Sequence, residues 1–164
     1  MFRNMRRSRQ QLDHAETVKI LQSGTTGVLG LTGDDGYPYA VPINYVYEDG
    51  KIYFHGAKSG HKYDSIKKQD KVSLCVIEKE DIIKEKLTTY FRSVILFGRA
   101  RILETDEEIL HAARVFSLRY NGDRDLVEQE IQKEWNALCC VEISIDHMTG
   151  KEAIELTRSR SSKF

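Results

Sequence analysis

Phe54-His55-Gly56-Ala57-Lys58-Ser59-Gly60-His61-Lys62 carries an apolar strand into a short glycine-bearing turn and then into the start of a helix. Alternation over Lys51 to His55 places Ile52 and Phe54 on one face and Tyr53 and His55 on the other. Gly56 and Gly60 allow a ligand to approach the backbone closely, and Ser59 is placed to cap the helix. The amides of the helix's first turn would then face an anion that Lys58, His61 and Lys62 neutralise, which is how a protein holds a phosphate. The same residues also describe a plain strand-to-helix loop with solvated charge, so the segment alone leaves both readings open.

Upstream, Glu48-Asp49-Gly50 reads as a hairpin turn, preceded by a strand from about Tyr37 to Tyr47. Pro38 and Pro42 make that strand an edge, or bulge it where something other than a neighbouring strand takes its hydrogen bonds. An earlier strand, Thr26 to Leu31, reaches it through Gly33-Asp34-Asp35-Gly36. Before that, Leu12 to Ser23 has helical periodicity with Ala15, Val18 and Leu21 on one face, and Gly24 stops it. Downstream, a helix from Ser59 to about Lys68 precedes a strand at Lys71 to Ile77. A long β-prone run from Leu87 to Leu103 follows, in which Gly98 marks a bend. A helix pair fills Thr105 to about Trp135 with a break at Asn121-Gly122-Asp123, and a last strand spans Leu138 to Ile145.

Six strands joined mainly by hairpins, with helices between them, predict a mainly β, α+β domain built as a six-stranded antiparallel barrel. A dinucleotide-binding doubly wound sheet is disfavoured. Gly24, Gly27, Gly30 and Gly33 recur every third residue and lack the strand-to-helix context of G-x-G-x-x-G. The predicted division is a basic arm over residues 1–11, the barrel domain over 12–156, and a polar, frayed tail over 157–164.

Twenty-five basic residues balance twenty-five acidic ones, so no net field recruits nucleic acid or a membrane surface, and an anion site must be local. No apolar signal region follows Arg3, Arg6, Arg7 and Arg9, which predicts a cytoplasmic protein. Cys75, Cys139 and Cys140 lie in strand-like segments without metal-clip spacing, so they read as core residues and no metal site is predicted. His14 and His111 fall on predicted helices without partners and read as surface residues.

A series of motifs extends the reading. Tyr37-Pro38-Tyr39-Ala40-Val41-Pro42-Ile43-Asn44-Tyr45, Ile52-Tyr53-Phe54-His55-Gly56, Gly60-His61-Lys62, Tyr90-Phe91-Arg92-Ser93-Val94 with Phe97-Gly98-Arg99-Ala100, and Met148-Thr149-Gly150-Lys151-Glu152 occur in order. Together they resemble the pyridoxamine 5′-phosphate oxidase-like flavoproteins, and most of all their nitroimidazole-resistance branch. The resemblance implies a split β-barrel holding FMN at the interface of a homodimer. It places the backbone of Val41, Pro42, Ile43 and Asn44 along the flavin ring. It also assigns the phosphate to Lys58, His61 and Lys62, and further flavin contacts to Gly56, Arg92 and Ser93. His55 takes the position of the branch's catalytic histidine.

The expected chemistry is reduction of a small acceptor, such as a nitroaromatic, by electrons from a nicotinamide donor, with His55 giving a proton. The motif His147-Met148-Thr149-Gly150-Lys151 replaces the arginine-rich clusters of the amine oxidases, which argues against pyridoxamine phosphate as substrate. The alternative is a non-catalytic flavin- or haem-binding barrel. A small barrel binding single-stranded nucleic acid is a third reading, which the balanced charge disfavours.

Overall fold

A computed structural model describes residues 1–161. After a 3-10 turn at Ser8–Gln10, helix α1 (His14–Ser23) leads into strands β1 (Thr26–Thr32), β2 (Pro38–Asn44), β3 (Val46–Glu48) and β4 (Lys51–Gly56). Helix α2 (His61–Lys68), the long strands β5 (Lys71–Ile83) and β6 (Thr88–Ile102), helices α3 (Asp106–Tyr120) and α4 (Arg124–Glu134), strand β7 (Cys139–Glu152) and helix α5 (Ile154–Ser161) follow.

Among the described residues the strands form one sheet in the order β2-β1-β5-β6-β7-β4-β3, with every neighbouring pair antiparallel. Strands β2 and β3 stand at opposite edges of that order, yet a single residue, Tyr45, separates them in the chain. The sheet must therefore curl until its edges meet at Tyr45, and with no ladder between the two edges it is a split barrel. The six strands expected become seven here. The Tyr45 side chain is fully buried, its hydroxyl donates to the Leu21 carbonyl at 3.0 Å, and its amide bonds Thr25 at 3.1 Å. Turning inward to reach α1 breaks the strand expected over Tyr37 to Tyr47.

Alternation fills the barrel. Leu29 and Leu31, Val72, Leu74 and Val76, Val94 and Leu96, Val141 and Ile143, and Ile52 and Phe54 converge on one core that α1 closes with Ile20 and Leu21. The buried face of α1 is Thr17, Ile20 and Leu21, rather than Ala15, Val18 and Leu21. Asp13 caps the helix by accepting from the Glu16 amide, and this phase turns Ala15 to solvent.

The opposite face of β4 and β7 is also covered. Tyr53 and Cys140 pack with Leu103, Ala112, Ala113, Val127 and Ile131 under the α3–α4 hairpin. That hairpin matches the expected helix pair. Thr105 and Glu108 cap α3 reciprocally, and the Asp123 carboxylate accepts from the Asp125 and Leu126 amides to start α4. At Gly98 the β6–β7 register slips by one residue, and a side chain there would collide with the Ser144 carbonyl, so the expected bend is observed with its cause.

The N-terminal segment docks on β7. Gln10 is buried and donates to the Glu152 carbonyl at 3.1 Å, and Gln11 bridges Lys151. Phe2 stacks on His147 at 4.6 Å. Thr157 to Ser161, expected as the start of a polar tail, are helical, and residues 162–164 lie outside the described residues.

Candidate functional site

The strand-to-helix corner after β4 becomes a site because α2 begins without a side-chain cap. Its N-cap is Gly60, not Ser59, at φ 106° and ψ 170°, a conformation that side chains resist. No side chain among the described residues accepts from the amides of the first turn, so they stay available to an anion. Lys62, the second residue of α2, is half-buried, with its ammonium 5.4 Å from the Phe54 ring centroid and in no ion pair among the described residues.

A cavity of about 260 Å³ opens at this corner, lined in part by Tyr39, Val41, Gly56, Gly60, His61 and Lys62. An adjoining one of about 420 Å³ is lined by Pro42, Ile43, Asn44, His55, Lys62, Phe116 and Tyr120. Lys62 lines both, so the structure brings together Val41, Pro42, Ile43, Asn44, His55, Gly56, His61 and Lys62 as the sequence predicted.

Three predicted residues are elsewhere. The Lys58 ammonium donates to the Asn136 carbonyl at 2.7 Å, beside the end of the α3–α4 hairpin. Arg92 is held by Glu16 at 2.8 Å, Glu78 at 3.2 Å and Glu152 at 3.8 Å, in a separate charged recess. Ser93 pairs with Ile77 and Lys151 in the ladders and lines neither cavity.

His61 also differs in detail. Its ring stacks on Tyr39 at 4.0 Å and its Nε2 lies 3.7 Å from an Asp34 oxygen, so Asp34 already offsets part of its charge when it is protonated. Lys68, at the other end of α2, bonds the same carboxylate at 3.0 Å. The β1–β2 turn thereby ties α2 to the cleft.

His55 stands edge-on to Phe116 at 4.4 Å between ring centroids, because its face of β4 is the one covered by α3. The His55 side chain is still exposed within one chain, yet desolvation by its surroundings first, and the nearby Lys62 charge second, hold its pKa below the ordinary imidazole value. At neutral pH the ring is therefore neutral, with one N–H to donate and one nitrogen to accept.

Phe116 and Tyr120 are site residues that sequence reading missed. They sit on an ordinary amphipathic helix, and only its docking on β4 brings them to the cleft. Tyr120 is fixed there by donating to the Tyr45 carbonyl at 3.0 Å. His111, expected to lack a partner, lies 3.1 Å from Glu48. All three cysteines are free, and burial pushes the Cys140 thiol up to about 12, consistent with an unreactive core residue.

A curled antiparallel sheet with open edges, an uncapped helix start and a cleft on its outward side defines a split-barrel protein. A family model described as pyridoxamine 5′-phosphate oxidase matches residues 13–152, and the chain belongs to that family. Among solved structures, a putative 5-nitroimidazole antibiotic resistance protein from Bacteroides thetaiotaomicron superposes with a TM-score of 0.72 at 22% identity, covering 87% of this chain and 86% of that one. The flavocytochrome Anf3 from Azotobacter vinelandii gives 0.75 at 21% identity, covering 92% and 72%. The FAD and heme binding protein from Mycobacterium smegmatis gives 0.73 at 17% identity, covering 88% and 73%. No match is found among curated proteins. At these identities the likeness establishes the fold.

Proposed function

We propose that this protein is a flavin-binding oxidoreductase that holds FMN in the cleft between β2, β4 and α2 and reduces a small, nitroaromatic-type acceptor. The observation that carries the reading is the half-buried Lys62 ammonium, without an ion pair among the described residues, beside the uncapped start of α2. A terminal phosphate, carrying roughly 1.5 to 2 negative charges near pH 7, fits that corner in both charge and donor geometry. The adjoining cavity, walled by Pro42, Ile43 and Asn44 of β2 and by His55, suits a flat ring system. Pro42 has no N–H, so the strand loses no donor where a ligand lies against it.

A bound flavin supplies electron transfer in one- or two-electron steps. The chain contributes the rest. Lys62 and the α2 amides anchor the phosphate, Val41 to Asn44 set the plane of the ring, and Phe116 and Tyr120 exclude water from one side. His55 presents a neutral imidazole whose N–H can be donated to an acceptor as its charge rises, and which takes up a proton only as the pH falls below the usual imidazole range.

A second copy of the chain would complete the cleft. The outward side of the sheet carries a register row of Pro42, Val28, Cys75 and Ile95 that begins at the site, and Val28, Ile77, Ile95 and Phe97 are exposed. An apolar face of this kind favours covering by a two-fold partner, which would roof the ring. Ser93 shares the outward side with Ile95 and would meet a flavin held by the partner, not by its own chain.

Titration with FMN, followed by quenching of flavin fluorescence, tests the reading directly. Saturable binding together with oxidation of a reduced nicotinamide in the presence of a 5-nitroimidazole supports it, and no binding refutes it. The Mycobacterium smegmatis structure favours haem as the competing cofactor. An absorption maximum near 400 nm, in place of flavin bands, would establish that alternative.

A further inference from the structure

A third cavity, of about 560 Å³, lies behind His55 between the end of β4 and the α3–α4 hairpin. His55, Phe116 and Tyr120 line both it and the cleft, so the two spaces share one wall. Its volume falls in the range of small-molecule sites. The remaining wall is mostly apolar: Gly56, Ala57, Ala113, Ile131, Ala137 and Leu138, with Ser117 the single hydroxyl besides Tyr120. The Tyr120 hydroxyl is already committed to the Tyr45 and Thr25 carbonyls.

Charge at the mouth is balanced. Glu130 and Glu134 are exposed there, and Lys133 lies 3.1 Å and 3.8 Å from their oxygens. The Lys58 ammonium is bound to Asn136 next to Ala137. The charges of Glu130, Glu134, Lys133 and Lys58 cancel, so a charged ligand entering this space would lose hydration without a net attraction to replace it. A neutral one would exchange water for apolar wall, and the mutually tilted rings of His55, Phe116 and Tyr120 offer edges and faces to another ring.

We propose that this cavity binds a neutral, planar aromatic molecule and is the site of the second reactant. Binding stands on the cavity itself, whereas the role of second reactant rests on the flavin reading. His55 then faces the flavin cleft on one side and the aromatic molecule on the other, which explains why the imidazole stands in the shared wall. Lys58, assigned to the phosphate from sequence, instead helps neutralise the mouth of this second space.

Three probes with one ring system and different charge decide the matter: 2-naphthalenemethanol, 2-naphthoate and 2-naphthylmethylammonium, each measured by equilibrium dialysis with and without FMN. The neutral alcohol should bind at least tenfold more tightly than either ion. Ala137→Trp or Ser117→Phe, each checked for a native circular dichroism spectrum, should abolish that binding while FMN titration is unchanged. Absence of alcohol binding, equal binding of the three probes, or binding indifferent to both substitutions overturns the proposal. If the alcohol binds as expected but FMN does not, the cavity assignment stands and the flavin reading falls. If FMN binds and the alcohol does not, the reverse holds.

Discussion

Lys62 is the ammonium at the helix start left without a carboxylate among the described residues. A hydrogen bond to a charged group contributes about 1.5–3 kcal/mol, so Lys62→Ala should weaken FMN binding by roughly tenfold or more, read from the fluorescence titration. His55→Asn should leave that titration intact and remove a limb from the pH–rate profile. In the parent protein the limb lies below the usual imidazole range, because desolvation and Lys62 both depress the His55 pKa. Glu142 gives a separate test of stability. Burial raises its pKa, but Lys51 at 2.9 Å and Arg101 at 3.3 Å outweigh that and hold it below the ordinary carboxylate value. A carboxyl whose folded pKa is depressed contributes stability above its unfolded pKa and loses it as the pH falls through the folded one. Glu142→Gln should therefore lower the melting temperature at pH 7 and flatten its decline below about pH 4.5.

Among the elements, α3 shapes the cleft from outside the barrel, since it brings Phe116 and Tyr120 to its wall. Its start depends on the reciprocal Thr105–Glu108 cap. Thr105→Ala should cost about 1 kcal/mol, measurable as a drop of roughly 2–4 °C in thermal midpoint. The helix pair and its break at Asn121-Gly122-Asp123 were legible because capping and turn chemistry are local. The core placement of Cys139 and Cys140 was legible from the apolar strand around them, but that both are buried, on opposite faces, follows from the α3–α4 hairpin covering the outer one. The face of α1 was not, because Thr17 is buried by its position against the barrel rather than by its own hydropathy. Nor was the break at Tyr45, which is set by a hydroxyl reaching Leu21 in a distant element.

For the whole molecule, the outward apolar side of the sheet predicts association. Light scattering should give twice the mass of the 164-residue chain, and Ile95→Asp, at a position 44% exposed within one chain, should yield a folded monomer that retains FMN poorly. Among the described residues no helix is long and apolar enough to cross a membrane. Most strands and helices, the antiparallel barrel and the corner from His55 to Lys62 could be read from sequence alone, because alternation, turns and the glycines of a helix start act over a few residues; the seventh strand and α5 could not. Folding in three dimensions engages Lys58 and Arg92 elsewhere, brings Phe116 and Tyr120 to the cleft wall and opens a third cavity behind His55. Those facts depend on which face of one element meets another, and a side chain's partner across the fold is chosen by packing that no neighbouring residue encodes.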